Sequence, residues 1–134
     1  MIAIDTSALI AIMSDEPERR LFNEAIESAE QTLISAASLL EARMVLYAHA
    51  GDEATMALDA FLLKSGIEVI DVSARMGELA FDAYRRYGKG TGHPAALNYG
   101  DCFSYALAAD KGVPLLYKGN DFQRTNIPSA TPLI

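Results

Sequence analysis

Short apolar segments alternate with longer segments of helical periodicity along the chain, and this alternation restricts the possible folds more than any other feature. Residues 1–4, 32–34, 67–72 and 113–117 are predicted strands, and residues 131–134 are a candidate edge strand. One or two predicted helices separate each strand from the next. Strands joined through helices pair in parallel, with helices covering the sheet. The sequence therefore predicts an α/β fold with a central parallel sheet of four to five strands and helices on both faces.

Residues that favour helix termini divide the chain into its predicted helices. Candidate starts carry residues typical of the N-terminal cap or the first turn: Thr6 or Ser7, the segment 15–18, Ser38, Asp52, Ser73 and Asn98. Glycines at positions 51, 66 and 112 mark candidate helix ends. Residues 88–94 contain three glycines and are predicted to form a loop.

The composition fits one globular domain, which we expect to span residues 1–134. Hydrophobic residues make up 51% of the chain and charged residues 22%. No apolar run approaches the ~18 residues of a membrane-spanning helix, and we expect neither membrane association nor a signal peptide. The single cysteine, Cys102, has no partner for an internal disulfide and lies in a predicted helix. We therefore expect a core thiol and a reducing, cytoplasmic location.

The formal net charge is −7, from 18 acidic and 11 basic residues. A protein that coats nucleic acid non-specifically needs a basic face, so this charge argues against that class. An enzyme that binds nucleic acid through metal ions and a local basic patch remains open. Arg85, Arg86 and Lys89 form the densest basic patch, which is either solvated surface charge or a phosphate contact.

Two carboxylates follow predicted strands. Asp5 comes directly after the first strand, and Asp121 closes the segment after residues 113–117. The carboxyl ends of parallel strands meet at one edge of the sheet, where ligands of such folds bind. Asp5 is either a helix cap or a metal ligand. Asp121 is either an ordinary turn residue or part of the same site.

Two further carboxylates lie near predicted helix starts. Glu41 stands three residues after Ser38, and this spacing matches a capping box. Asp101 stands three residues after Asn98, where a capping role is also available. Gly100 weakens the first turn of that helix by up to ~1 kcal/mol, so we expect a ligand or another backbone to approach it closely.

Together, the four carboxylates predict a metal site at one edge of the sheet. Clustered negative charges raise the pKa of at least one acid unless a cation joins them. Oxygen ligands suit a hard divalent cation, and phosphodiester cleavage is a common reaction at such a site.

Longer motifs resemble the PIN-domain toxins of the VapC type. The similar segments run over essentially the whole chain: Asp5-Thr6-Ser7-Ala8, Glu41-Ala42-Arg43, residues 93–108 with Asn98-Tyr99-Gly100-Asp101-Cys102, and residues 114–122 with Tyr117-Lys118-Gly119-Asn120-Asp121-Phe122. The Asn-x-Gly-Asp-Cys and Tyr-Lys-Gly-Asn-Asp-Phe blocks are specific, whereas Asp-Thr-Ser alone is not.

The resemblance implies a PIN-like fold and an endoribonuclease that depends on Mg²⁺ or Mn²⁺. It also implies a homodimer, and a hetero-oligomer with a VapB-type antitoxin whose tail blocks the site. Asp5 and Asp101 match the principal metal ligands of the family. Glu41 matches the acid that orients the metal-bound water or helps to hold the metal, and Asp121 lies in the segment of the fourth acid. Candidate substrate contacts are Thr6, Ser7, Arg43, Lys89 and Lys118.

The chain departs from the family pattern around its fourth acid. Many relatives carry one acid where this chain has Asn120 and another where it has Asn126. Asp121 is therefore the carboxylate that remains in this region. The departure favours one firmly bound ion, with a second ion that binds only together with substrate.

Three other functions remain open. A phosphoacceptor signalling domain also has strand-end residues such as Asp71 and Lys118, but it needs paired acids after the first strand, where Thr6 follows Asp5. A phosphatase with an aspartyl nucleophile at Asp5 needs an acid at the position of Ser7. The third is a binding module without catalysis, which chelation of metal ions distinguishes from an enzyme.

Overall fold

The structure is a computed structural model and describes residues 1–131. Its elements follow the predicted alternation: β1 (Ile2–Ile4), α1 (Thr6–Met13), α2 (Arg19–Ser28), β2 (Thr32–Ser35), α3 (Ala36–Ser65), β3 (Glu68–Ile70), α4 (Ala74–Tyr87), α5 (Tyr99–Lys111), β4 (Leu115–Leu116) and a 3-10 turn (Phe122–Arg124). Apart from Thr131, the candidate edge strand at residues 131–134 lies outside the described residues.

Four parallel strands form the sheet, in the order β3-β2-β1-β4. Within β1, Ala3 is in register with Leu33 of β2 and Leu115 of β4. The chain leaves β1 towards β2 on one side and later returns to β4 on the other. The carboxyl ends of β1 and β4 therefore form a switch point, the usual ligand position in such sheets.

Each face of the sheet carries its own apolar core. Alternate residues of a strand point to opposite faces, so Ile2 and Ile4 pack with α1, α2 and α3, whereas Ala3 packs with α4 and α5. Both faces are thus covered by helices. The predicted α/β fold with a central parallel sheet and helices on both faces is confirmed, with four strands in the described part of the chain.

Helix α1 is capped by Asp5, one of the alternatives that the sequence left open for this residue. Asp5, not Thr6 or Ser7, occupies the N-cap, and its carboxylate accepts a hydrogen bond from the backbone N–H of Ser7. The strand therefore passes into the helix without a linker. The predicted caps Ser73 and Asn98 are confirmed.

Helix α3 also begins earlier than predicted. Ser35, the last residue of β2, is its N-cap and accepts a hydrogen bond from the N–H of Ala37. The predicted capping box of Ser38 and Glu41 is therefore wrong, because both residues lie inside the helix. The predicted break at Gly51 is present as a residue with φ 69° and ψ −154° within α3.

Strands β3 and β4 are shorter than the apolar segments that predicted them, because pairing covers only residues 68–70 and 115–116. Among residues 1–131, none of the helices combines the length and the apolarity required to span a bilayer.

Candidate active site

Asp5 is a buried carboxylate at the carboxyl end of β1, with only 3% of its surface exposed. Its Oδ2 accepts hydrogen bonds from the backbone N–H of Ser7 at 3.0 Å and from the Ser7 hydroxyl at 2.6 Å. Its Oδ1 accepts a hydrogen bond from the hydroxyl of Ser104 on α5. Three donors thus fix the orientation of this carboxylate.

Asp101 lies in the first turn of α5 and is half-buried. Its Oδ2 accepts a hydrogen bond from the backbone N–H of Asn98, and the side chain of Asn98 accepts one from the N–H of Asp101. This is the predicted capping box. The cap fixes the start of α5 and holds the Asp101 carboxylate beside the end of β1.

Glu41 reaches the same place from the second turn of α3. A Cβ added to Gly100 would lie 2.7 Å from Oε1 and 2.8 Å from Cδ of Glu41. Gly100 is therefore in close contact with another group, as expected, but that group is the carboxylate of Glu41 and not a ligand or a backbone. Only glycine leaves room for this carboxylate beside Asp101.

Asp121 approaches from the turn that follows β4. It is exposed and directly precedes the 3-10 turn Phe122–Arg124. Within residues 1–131, its side chain makes no capping hydrogen bond. The backbone around Asp121 is anchored by Phe122, which is 2% exposed and belongs to the core under α5.

The electrostatics of Asp101 show that these side chains share one environment. The pKa of the Asp101 carboxyl is raised to about 7, with burial as the largest cause and the hydrogen bond from Asn98 acting in the opposite direction. The negative charges of Asp5, Asp121 and Glu41 also raise this pKa. These four residues, named here the carboxylate cluster, come from four separate parts of the chain.

The carboxylate cluster fits a hard divalent cation in its chemistry. All its ligating atoms are carboxylate oxygens, and the raised pKa of Asp101 reflects negative charge that a cation would offset. Within residues 1–131, however, no three acidic, imidazole or thiol groups already converge closely enough to hold one ion. Binding an ion therefore requires side-chain rotation. Asp121, whose side chain makes no capping bond within residues 1–131, is free to provide it.

Two of the candidate substrate contacts serve the fold instead. Thr6 is 7% exposed, and its hydroxyl donates to the carbonyl of Ser38 at 2.9 Å. The Ser7 hydroxyl bonds Asp5 and accepts a hydrogen bond from the Lys118 N–H at 2.9 Å. We therefore do not propose Thr6 or Ser7 as substrate contacts.

Lys118 is exposed but already paired. Its Nζ lies 2.8 Å from a carboxylate oxygen of Glu16 and 3.0 Å from one of Glu18. Hydrogen bonds to these two glutamates raise the pKa of Lys118. A substrate phosphate must compete with both, so Lys118 is a weaker candidate than its sequence position indicates.

Arg43 and Lys89 remain candidate phosphate contacts. Arg43 lies on α3 two residues after Glu41 and pairs with Asp59 at 2.7 Å, with 43% of its side chain exposed. Lys89 is exposed in the loop between α4 and α5. The Lys89 N–H donates to the carbonyl of Leu97, which fixes the start of that loop.

Asp71 lies away from the carboxylate cluster, and Cys102 is the core thiol that was expected. Asp71 follows β3, the edge strand farthest from β4. Strand β2 lies between β3 and β1, and both β2 and β1 lie between β3 and β4, which precedes Lys118. Cys102 is 5% exposed, and burial together with the charge of Asp101 raises the pKa of its thiol to about 11. A thiol with such a pKa is not a nucleophile at neutral pH, which agrees with a core position.

Sequence analysis missed the two buried serines beneath the cluster. Ser38 and Ser104 are each 1% exposed, and their hydroxyl oxygens lie 3.0 Å apart. Ser38 was assigned to a cap. The available signal was the three-residue spacing of Ser38 from Glu41 and of Ser104 from Asp101, which places each serine one helical turn from a candidate carboxylate.

An apolar surface borders the cluster on the side of Glu41 and Gly100. Two clefts of about 410 and 470 Å³ share Tyr99 and Phe103 as a common wall. Several large side chains around them are at least 42% exposed: Leu40, Met44, Phe81, Tyr84 and Tyr99. Contiguous exposed apolar groups of this kind are typical of protein–protein contacts. We call these two clefts and their rims the apolar surface.

Comparisons with known proteins identify the fold and the family. The sequence model of the PIN domain matches residues 2–128. The chain is 48% identical over 126 residues to ribonuclease VapC30 of Mycobacterium tuberculosis, covering 94% of this chain and 95% of that protein.

Solved structures agree with the fold. Mycobacterium tuberculosis VapC20, a toxin that cleaves the sarcin–ricin loop, superposes with a TM-score of 0.79 at 21% identity, covering 98% of this chain and 100% of that one. VapBC2 of Rickettsia felis, bound to a DNA fragment from its promoter, gives a TM-score of 0.70 at 19% identity, covering 96% of each chain.

Proposed function

The chain belongs to the PIN-domain family and, within it, to the VapC ribonucleases, which are endoribonuclease toxins, and we propose that the carboxylate cluster is its RNA-cleaving site. One observation carries this proposal: Ser104 of α5 bonds Asp5 and the Glu41 carboxylate packs against Gly100, so that the charges of Asp5, Glu41 and Asp121 raise the pKa of Asp101. Residues separated by up to 116 positions therefore act on one another at the switch point of the sheet. The expected single domain over residues 1–134 is part of the same proposal.

VapC ribonucleases of the PIN-domain family generally depend on a divalent metal ion, and we propose Mg²⁺ or Mn²⁺ here. Asp5 and Asp101 are the proposed ligands, with Glu41 and Asp121 as further oxygen donors. When bound, such an ion lowers the pKa of a bound water and offsets charge on the phosphate. The single acid in the segment Gly119–Asp121 supports one firmly bound ion, with a second that enters only with substrate.

Asp5 and Glu41 have different proposed roles in the reaction. Asp5 supplies a carboxylate fixed by three donors. Glu41, packed against Gly100, orients the attacking water and accepts its proton. The water attacks phosphorus as the bond from phosphorus to the 3′ oxygen breaks in line with it, and the 3′ oxygen takes a proton from solvent. The products are a 5′-phosphate and a 3′-hydroxyl.

The substrate is proposed to be an unpaired or looped segment of RNA, because the site must reach the sugar–phosphate backbone. The chain carries a net charge of −7, so broad attraction to a polyanion is absent. Local cations must position the substrate. Arg43 and Lys89 are the proposed phosphate contacts, with Lys118 available if it leaves its two glutamates.

The proposed partners are a VapB-type antitoxin and a second copy of the chain. The toxin–antitoxin assembly seen for VapBC2 supports the first. The apolar surface supports both, because Tyr99 is 82% exposed and Met44 is 63% exposed beside the carboxylate cluster. An acidic cluster next to an apolar surface suits an antitoxin tail that carries a basic side chain. A cytoplasmic location remains our expectation.

The test is cleavage of RNA by the purified, antitoxin-free chain, with mapping of the cut sites on tRNA and rRNA. We expect cleavage with Mg²⁺ or Mn²⁺, loss of cleavage with a chelator, and recovery when Mn²⁺ is added back. Each product should carry a 5′-phosphate at the cut. Cleavage that persists in chelator, or an intact RNA pool under all conditions, contradicts the proposal.

A further inference from the structure

Two buried hydroxyls connect the carboxylate of Asp5 to helices α3 and α5. The Ser104 hydroxyl donates to Oδ1 of Asp5, and its oxygen lies 3.0 Å from the Ser38 hydroxyl oxygen. A hydroxyl has one hydrogen to donate. Since Ser104 gives its hydrogen to Asp5, Ser38 must donate to Ser104. We call this series of hydrogen bonds the hydroxyl relay. Its donors point from Ser38 through Ser104 to Asp5.

The hydroxyl relay acts on the oxygen of Asp5 that has the larger remaining capacity. Oδ2 already accepts two hydrogen bonds, both from Ser7, whereas Oδ1 accepts one, from Ser104. A carboxylate offers about four acceptor positions in all. Oδ1 therefore keeps an acceptor position for a ligand, and Ser104 determines where that position points.

The relay also fixes the rotation of α3, which carries Glu41, and of α5, which carries Asp101. Ser38 precedes Glu41 by three residues on α3, and Ser104 follows Asp101 by three residues on α5. Residues three apart lie on the same face of a helix, one turn along. A rotation of either helix that broke the relay would also displace the carboxylate one turn away.

Packing alone does not require hydroxyls at these positions. Both serines are 1% exposed, and their hydroxyls are hydrogen-bonded to each other. A pair of hydrogen-bonded buried groups can be replaced by apolar groups of similar shape at little cost to stability. Replacing both serines leaves one buried group without its donor, Oδ1 of Asp5, so the main effect is expected at that carboxylate.

We propose that Ser104, supported by Ser38, is a positioning residue that orients Asp5 towards a divalent cation and holds Glu41 and Asp101 in register with it. The role rests on the proposed function of the carboxylate cluster. It acts through Asp5 and needs no contact between either serine and RNA.

The test compares S104A and S38A with S35A in the full chain. Calorimetric titration with Mn²⁺ should show an affinity about tenfold lower for S104A and about threefold lower for S38A. The turnover number for RNA should fall in parallel, while KM for RNA stays unchanged. Ser35 is also a buried serine, 2% exposed, and its hydroxyl accepts the capping hydrogen bond from the N–H of Ala37; within residues 1–131 it makes no hydrogen bond to Asp5. S35A should therefore lower the melting temperature and leave the Mn²⁺ affinity unchanged.

The double variant S38A/S104A tests the order of the relay. If Ser38 acts only through Ser104, the double variant should bind Mn²⁺ as weakly as S104A alone. A further loss in the double variant overturns the relay. If the affinity of S104A for Mn²⁺ is within about twofold of that of the unsubstituted chain, the relay is also overturned. Groups that hydrogen-bond to a metal ligand without contacting the metal contribute more than that to metal affinity.

Failure of the relay and failure of the nuclease proposal give different results. A chain that binds Mn²⁺ but leaves RNA intact contradicts the nuclease, while weaker Mn²⁺ binding by S104A still supports the relay. A crystal structure of S104A needs neither metal nor RNA. We expect the Asp5 carboxylate to turn away from its position in the unsubstituted chain, and an unchanged carboxylate overturns the relay.

Discussion

The two sides of the carboxylate cluster differ in how firmly the fold holds them. On the fixed side, Asp5 is 3% exposed and accepts three hydrogen bonds, and Asp101 is held in a capping box with Asn98. On the free side, Asp121 is exposed and, within residues 1–131, makes no capping bond. The fixed side can define the position of an ion before substrate arrives, whereas the free side can follow the substrate.

This difference agrees with the departure from the family pattern at Asn120 and Asn126. A free side with a single acid contributes less to the binding of an ion than a fixed side with two. Electrostatic coupling still joins the sides, because the charge of Asp121 helps to raise the pKa of Asp101. The comparison therefore predicts a graded response to substitution.

The largest effect is expected on the fixed side. Asp5→Asn or Asp101→Asn should lower RNA cleavage by about 10³-fold, roughly 4 kcal/mol in activation free energy, because each removes a proposed metal ligand. Steady-state cleavage assays at saturating Mn²⁺ measure this loss. Asp71→Asn is the control, because this exposed acid also follows a strand but lies at the far edge of the sheet. Full activity of either fixed-side variant would remove these residues from the mechanism.

The second effect concerns the contact between Glu41 and Gly100. Gly100→Ala places a methyl group against the Glu41 carboxylate, which must move. Cleavage should fall by about 10²-fold, since small displacements of catalytic groups are costly. Stability should stay the same or rise slightly, because alanine favours the helix by up to ~1 kcal/mol.

Gly77→Ala is the matched control for that substitution. Gly77 lies on α4, and a Cβ placed there would meet no atom of the described residues within 4 Å, apart from its chain neighbours and the adjacent backbone of its own helix. The control should gain similar helix stability and keep full activity. Equal activity of the Gly100→Ala and Gly77→Ala proteins would show that the position of Glu41 is not critical.

The third effect tests the free side directly. Asp121→Asn should lower cleavage by only about tenfold, because its side chain is exposed and weakly held. Asn120→Asp adds a carboxylate on the same side and should raise the apparent affinity for Mn²⁺. Parallel Mn²⁺ titrations of activity measure both variants. A loss at Asp121 as large as that at Asp5 would remove the distinction between the two sides.

The smallest effect is a dependence of stability on pH without metal. Asp101 has a pKa of about 7 in the folded chain, whereas an unfolded aspartate has one near 3.9. Between these values the folded chain binds the proton and the unfolded chain does not, so the contribution of Asp101 to stability falls as pH rises from about 4 to about 7 and levels off above that. Its partial exposure to solvent reduces the size of this contribution.

Melting curves in chelator between pH 5 and pH 8 measure this dependence. The melting temperature of the unsubstituted chain should fall relative to that of Asp101→Asn, by on the order of 5 °C over this range. The comparison with Asp101→Asn cancels the titration of other groups. Parallel curves for the two proteins would show that Asp101 is not shielded as the structure indicates.

The sequence predicted the parts of the site that depend on local order along the chain. Asp5 follows a buried apolar strand, and Asn98 stands three residues before Asp101, so strand-end and capping rules place both. Sequence rules failed where two residues of the same type compete locally. Ser35 and Ser38 both favour a cap, and the choice depends on where β2 ends, which is decided by pairing with β1 and β3.

Contacts between distant residues could not be predicted from periodicity. A helical pattern indicates which face of α5 is buried, but not that Ser104 meets Ser38 and Asp5 there. The Lys118 ion pairs with Glu16 and Glu18 depend in the same way on how β4 lies beside β1. Residue types indicated which groups could take part in chemistry, and the packing of the helices decided which of them meet.

The central claim is that Asp5 and Asp101 hold a divalent cation at the switch point of the sheet. Anomalous diffraction from crystals of the full chain soaked in Mn²⁺ tests it most directly. We predict a manganese peak at about 2.1 Å from carboxylate oxygens of both residues, weakened in Asp101→Asn. No peak at this place in crystals of a protein that cleaves RNA with Mn²⁺ would contradict the account.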